Sequence, residues 1–360
     1  MKIYFDIDVI GGQIFGMTYA TLELMKSFKA SNEVINFVAG RKRNLIGHAE
    51  IMANYSFGVS VCPFPKKILK LSNMLGFAVE NKFLGDYDYF IQVGLHQKRN
   101  IPKEKYVLFV HDTVGMRYPD LEAPFPDNAQ QIIDSACLIL TVSEFSRVEI
   151  CHYFDVDFDK VEVVPNGCDF SRFKSYEKEE LDKIRKKYSL EKPYLVCYGG
   201  KSPRKNIDFL IEGYKKLDIK NKPELVLFGQ KINHENDVCG LRSLGYLSDD
   251  EVPKVLAGAM GMVFPSYYEG FGLPILEAFS CGVPVICSNQ ASLPEVSQGN
   301  AVYFDPFDVD DLIQKINLFV SDQKLRSDLV ENGYKLVGDF SWQKMAGKLF
   351  DVLNDKKEET

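Results

Sequence analysis

Between Met262 and Cys287 the chain spells out a strand, a loop, a helix and a second strand. Met262-Val263-Phe264 is apolar and ends in Pro265. Glu269-Gly270-Phe271-Gly272 then reads as a tight loop, because glycine opens backbone conformations that other residues avoid. Pro274 suits the first helical turn, where its missing N–H costs nothing. Ile275, Ala278 and Phe279 repeat at helical spacing. Cys281-Gly282-Val283-Pro284 closes that helix, and Val285 to Cys287 opens another buried strand.

The same alternation runs through the chain. Apolar runs recur at 3–8, 34–39, 88–93, 106–110, 136–142 and 161–164, then at 193–198, 225–228 and 301–304. Helical or polar segments separate them, such as 17–28 with Tyr19, Leu22, Met25 and Phe28 on one side. This predicts an α/β fold of doubly wound, mostly parallel sheets, whose ligands sit past the carboxyl ends of the strands. A length of 360 residues favours two domains. The expected divisions are 1–170, 171–338 after a charged helical lead-in, and a final amphipathic helix over 339–360 anchored by Trp342. The net charge of −7 argues against nucleic acid as a partner, since a phosphate backbone demands a basic footprint. The eight cysteines include no C-x-x-C pair, and Cys137, Cys197, Cys281 and Cys287 fall in apolar runs. That usage fits a reducing cytosol and no structural zinc. Met1-Lys2 leads straight into a strand, and no run of about 18 apolar residues appears, so a cytoplasmic protein is expected.

Two loops carry chemistry. At 269–273, the loop with Gly270, Phe271, Gly272 and Leu273 leads into a helix start, whose backbone N–H groups suit an anionic phosphate. Glu269 and Glu277 flank it and would repel that phosphate unless they bind something else, and sugar hydroxyls are the natural donors to them. The alternative for these acids is a helix whose acidic first turn complements its dipole. The second loop is Gly199-Gly200-Lys201-Ser202-Pro203-Arg204-Lys205-Asn206, a glycine turn with cations at a helix entrance. It reads as a diphosphate seat or, alternatively, as a solvated basic loop. In the N-terminal half, His111-Asp112 directly follows an apolar run, where a ligand is expected. Gly11-Gly12 opens a strand–turn–helix unit, but Gln13 occupies the middle position of a dinucleotide fingerprint, which disfavours a nicotinamide enzyme.

The string E-G-F-G-L-P-I-L-E-A (269–278) resembles the signature of the retaining glycosyltransferases of the GT-B fold, family 4. Also similar are T-V-S-E-F-S (141–146), P-N-G (165–167), the G-x-x-x-P-R-K-N run from Gly199 to Asn206, and L-G-Y-L-S-D (244–249). The resemblance implies two Rossmann-like domains facing across a cleft, with the C-terminal helix crossing back to the first. It implies that Arg204 and Lys205 hold a nucleotide sugar's diphosphate, that Glu269 holds the sugar and Glu277 the ribose. It places Gly11 and Gly12 beside the acceptor and donor phosphates, His111 at the donor sugar, and backbone groups of Tyr246 and Leu247 in the nucleobase pocket. Asp112 has two available roles, orienting the imidazole or accepting a hydroxyl. No metal and no cofactor are implied. The family often carries a basic residue where Gly16-Met17-Thr18 stand, and Lys201 is an additional charge.

F-V-H-D-T (109–113) and R-Y-P (117–119) look like the mannosyltransferase branch that builds O-antigen and capsule, which suggests a GDP-sugar, with UDP-sugars next. The expected function is transfer of a mannose-like hexose to a glycan or lipid-linked glycan. Rival readings are a nucleotide-sugar epimerase or hydrolase on the same fold, and a non-catalytic nucleotide-sugar-binding protein. Ser143 is the expected N-cap of a helix, Ser248 reads as the cap of another, and 289–295 reads as a small turn capped by Ser292. Segment 63–77 mixes Lys66, Lys67 and Lys70 with apolar residues. It reads either as weak peripheral contact with an anionic membrane at its inner face or as a helix with its lysines in water.

Overall fold

The computed structural model describes residues 1–6, 16–29, 33–39, 58–62, 64, 67–68, 71, 75, 79–96, 98–200, 202–229 and 238–358. Gly11, Gly12 and Lys201 lie outside the described residues. The chain divides into two compact units: Met1–Pro119 with Ala123–Gly167 and Trp342–Thr360, and Asp120–Glu122 with Cys168–Ser341.

In the first unit the strands are β1 (Lys2–Asp6), β2 (Glu33–Ala39), β3 (Gly58–Cys62), β4 (Tyr89–Val93), β5 (Tyr106–Phe109), β6 (Leu138–Thr141) and β7 (Val161–Val163). They form a parallel sheet of order β3-β2-β1-β4-β5-β6-β7. β4, β5 and β6 are buried along their whole length, as strands covered on both faces must be. Phe90, Tyr106, Leu108, Ile132, Ile139 and Ile150 fill the core on one side. The Trp342–Glu358 helix packs against the Met17–Lys29 helix and buries Trp342, Met345, Leu349 and Leu353. Tyr89 donates to the Leu353 carbonyl at 2.9 Å, and Trp342 meets Tyr19 edge-on at 6.5 Å between ring centroids. Gly167 is required there, because a Cβ would stand 2.5 Å from the Trp342 nitrogen.

The second unit holds β8 (Tyr194–Tyr198), β9 (Glu224–Phe228), β10 (Leu241–Ser243), β11 (Gly261–Phe264), β12 (Val285–Ser288) and β13 (Ala301–Phe304), ordered β10-β9-β8-β11-β12-β13. β8 pairs with β9 on one side and with β11 on the other, so the winding reverses between β8 and β11. In sheets wound this way the ligand crevice lies at the carboxyl ends of those two strands. The loops that leave them carry Gly199–Asn206 and Glu269–Gly272.

Three details depart from the sequence reading. β3 and β10 are strands that it did not contain. The charged lead-in to the second unit is helical only over Lys178–Lys187. Glu277 is the fifth residue of the Leu273–Ser280 helix, and that helix has no acid in its first turn, which removes the dipole explanation for the two glutamates.

Candidate active site

The cationic turn follows β8 directly. Pro203–Lys205 is a single 3-10 turn, and Asn206 takes a left-handed φ of 56° so that the Ile207–Lys216 helix can start. Arg204 Nη1 donates to Glu269 Oε2 at 2.7 Å and to the Tyr268 carbonyl at 3.0 Å. Lys205 Nζ donates to Glu269 Oε1 at 2.6 Å. Glu122, which belongs to this unit, lies 3.4 Å from Arg204 Nε. Three residues named from sequence therefore meet as one charged group. Burial alone would raise the Glu269 carboxyl, but the Lys205 and Arg204 charges outweigh it and hold it down at about 2. Glu269 is therefore ionised near neutral pH, with its two oxygens on Arg204 and Lys205.

The loop after Glu269 is fixed from behind. Ser292 Oγ lies 2.9 Å from the Glu269 carbonyl and 2.6 Å from the Phe271 carbonyl, so both carbonyls turn towards it. Ser292 makes no side-chain cap of its own helix, and this loop contact explains why. Ser248 likewise caps no helix with its side chain and bonds Glu251 Oε2 at 2.8 Å instead. Gly272 has a φ of 112°, and a Cβ there would approach Leu293 Cδ2 to 2.9 Å. Glycine is thus obligatory at the residue that starts the helix. Phe271 is buried and packs on Phe340, with ring centroids 6.1 Å apart.

Glu277 has a different environment. Tyr198, the last residue of β8, donates its phenol to Glu277 Oε2 at 2.6 Å. Burial raises the Glu277 carboxyl to about 7, and the Tyr198 bond only moderates the rise. Sequence reasoning missed Tyr198, which is 79 positions away and reads as one more apolar strand residue. Beside Gly199, Gly229 N donates to the Gly245 carbonyl at 2.7 Å. The next residue, Tyr246, is exposed, whereas the Leu247 side chain is buried as packing.

In the first unit, His111 follows β5. Its Nε2 lies 3.3 Å from Thr21 Oγ1, and its ring stacks on Phe109 at 4.4 Å. Burial drives its pKa down to about 3, so the imidazole is neutral near pH 7. Asp112 Oδ1 accepts the Val114 N–H at 3.1 Å, closing the turn that follows. Thr113 and Arg117, part of the same sequence run, both donate to the buried Glu149, at 3.0 and 2.6 Å. Neither the Thr21 nor the Glu149 contact had a signal in the sequence. Among the described residues no group of three or more His, Cys, Asp or Glu is placed to hold a metal ion.

A parallel α/β chain of two Rossmann-like units, with cations and carboxylates gathered at the winding reversal of the second, defines a class of nucleotide-dependent transferases. Comparison with known proteins makes the class specific. Residues 179–336 match the family model described as glycosyl transferases group 1. An O-antigen chain mannosyltransferase B of Escherichia coli is 30% identical, over 95% of this chain and 97% of its own. An MMP alpha-(1->4)-mannosyltransferase of Mycolicibacterium hassiacum is 29% identical over 59% of this chain and 53% of its own. In structure, Anabaena Alr3699/HepE, solved with UDP and glucose, superposes with a TM-score of 0.75 at 17% identity, covering 98% of this chain and 99% of its own. The chain belongs to the group 1 glycosyl transferases, has the GT-B fold and is a glycosyltransferase.

Proposed function

We propose that the protein is a retaining hexosyltransferase that needs no metal. It moves a mannose-like residue from a nucleoside diphosphate sugar, with GDP the favoured nucleotide, to a glycan or lipid-linked glycan in surface-polysaccharide assembly. The O-antigen mannosyltransferase similarity supports the product class. The observation that carries the reading is the Arg204–Lys205–Glu269 group at the β8/β11 crevice. The two cations are balanced by Glu269 and Glu122, and a diphosphate's greater charge competes with those carboxylates for them. When the diphosphate arrives, it takes the cations and backbone N–H groups at the start of the Leu273–Ser280 helix, and Glu269 turns to the sugar hydroxyls. Glu277 accepts from the ribose hydroxyls. His111, neutral, serves the donor sugar as a hydrogen-bonding group without competing as a cation. The bond from the anomeric carbon to the phosphate oxygen breaks as the acceptor oxygen bonds to the same face. The acceptor's proton passes to the departing phosphate oxygen.

The chain has no described helix long and apolar enough to cross a membrane. Phe64, Ile68, Leu71 and Leu75 are exposed at spacings of four, three and four, and Leu75 N donates to the Leu71 carbonyl at 3.0 Å. Lys67 is exposed beside them, Lys66 and Lys70 lie outside the described residues, and the exposed row supports peripheral contact with an anionic inner leaflet, where a lipid-linked acceptor would lie. Loss of flotation with anionic vesicles in a Leu71→Ser, Leu75→Ser variant tests that part.

The main test is thermal unfolding with GDP, UDP and their sugars, because a ligand that binds only the folded state raises its stability by mass action. A rise with one nucleotide series, and donor consumption only when acceptor glycan is added, is expected. No rise with any of them overturns the reading. Consumption without acceptor replaces it with a hydrolase.

A further inference from the structure

Phe307 is 69% exposed, the highest value among the large hydrophobic side chains of the described residues. An aromatic ring left in water forgoes the stabilisation that burial would give it. It is nonetheless held firmly. Phe307 N donates to Asp305 Oδ1 at 2.9 Å, and Asn206 Nδ2 donates to the Pro306 carbonyl at 2.8 Å. The ring meets Tyr267 at 5.8 Å between centroids with a 35° tilt. Tyr267 stands two residues before Glu269, and its N–H donates to the Arg204 carbonyl at 3.0 Å. The aromatic pair is thus tied by backbone to both sides of the charged group.

The sheet order says which end of a substrate would reach it. Tyr246 follows β10 and Phe307 follows β13, and these two strands are the opposite edges of the sheet, with the cationic turn after β8 between them. A nucleotide that runs from the Tyr246 side to the diphosphate turn leaves the Phe307 side to whatever lies beyond the transferred sugar. The surrounding charge selects the chemistry. Asp305, Asp308, Asp310 and Asp311 crowd the loop and the start of the next helix, and Asp308 Oδ1 already caps Asp310 N and Asp311 N. Four carboxylates repel an anionic headgroup or a second phosphate and accept hydroxyls. The C–H face of a pyranose supplies apolar contact to the rings while its hydroxyls meet the acids.

We infer that Tyr267 and Phe307 form a stacking platform for a sugar ring of the acceptor glycan, one not bonded in the reaction. The inference rests on the proposed transferase reading, so its test separates the two. Initial rates are measured with synthetic mannosyl mono-, di- and trisaccharide glycosides, and GDP and UDP affinities are measured by titration in parallel. In the unaltered protein KM should fall as the acceptor lengthens. Phe307→Ala should cancel that gain, raising the trisaccharide KM about tenfold, with nucleotide affinity and melting temperature unchanged. Phe307→Trp should keep the gain. A length gain retained in Phe307→Ala, no length gain in the unaltered protein, or no turnover of any member while nucleotide still binds, each overturns the platform. Absence of nucleotide binding instead overturns the transferase reading.

Discussion

Glu269 and Glu277 stand eight positions apart in one sequence motif, yet the loop and the helix that carry them build opposite environments. On the loop, two cations overcome burial and hold Glu269 down at about 2. On the helix, burial dominates and Glu277 rises to about 7, with one neutral phenol as partner. Spacing alone made the two acids look equivalent. Their surroundings keep Glu269 ionised well below neutral pH and let Glu277 titrate near pH 7.

The sharpest way to break this contrast is Glu269→Gln, which keeps the shape and removes the charge between Arg204 and Lys205. Turnover should fall about 10²–10³-fold, the usual cost of one misplaced group that serves a developing charge, and donor KM should change less than kcat. Glu269→Ala is a harsher probe. It leaves two partly buried cations facing each other and should also cost roughly 2 kcal/mol of stability, below the range for fully buried pairs because each cation keeps some exposure.

Next in size is Tyr198→Phe. Loss of a hydrogen bond to a charged acceptor costs about 1.5–3 kcal/mol, so donor KM should rise about tenfold with a small change in kcat. The Tyr198 bond lowers the Glu277 pKa, so its removal should also move the acid limb of the donor-binding profile to higher pH. A profile that stays in place would mean that Glu277 does not set that limb.

In the unaltered protein, donor affinity should fall as the pH drops below about 7, because protonated Glu277 is a poorer acceptor for ribose hydroxyls. The stability signs differ between the two acids. Between about 4.5 and 7 the folded chain keeps a proton on Glu277 that the unfolded chain has lost, so that contribution is present at low pH and fades as pH rises through about 7. Glu269 has the reverse sign, and its contribution is lost only as pH falls towards about 2. Urea unfolding at pH 5 and pH 8, in Glu277→Gln and in the unaltered protein, isolates the first term.

The smallest expected effect is Ser292→Ala. The two loop carbonyls lose their common partner, which should cost about 1 kcal/mol by melting temperature and lower turnover a few fold. An unchanged turnover would show that the loop keeps its shape without that hydroxyl.

The parts of this picture that lay in the sequence were local ones. The strand–loop–helix units around 262–287 and 194–216 were legible because glycine, proline and apolar spacing act within a few residues, and Ser143 caps its helix as its position suggested, accepting from Ser146 N at 3.0 Å. β3 escaped because Gly58-Val-Ser-Val-Cys62 offers only two valines in a five-residue run, and β10 because three residues carry too little pattern. The contacts made across long stretches of chain were not legible. Arg204 and Lys205 reach Glu269 across more than sixty positions, Thr21 reaches His111 across 90, and Tyr198 reaches Glu277 across 79. Ser292 misled for a related reason: S-L-P-E is a good cap sequence, but its hydroxyl found the carbonyls of a distant loop first.

The central claim is that the second unit grips a pyrophosphate through its cationic turn and the Glu269 loop. Calorimetric titration of GDP against guanosine, and of UDP against uridine, tests it most directly. One diphosphate should bind at least about 100-fold tighter than its nucleoside, as two charge-assisted contacts allow, and an Arg204→Ala, Lys205→Ala variant should erase most of that gap. Equal affinity for nucleoside and diphosphate, or a gap untouched in the variant, contradicts the account.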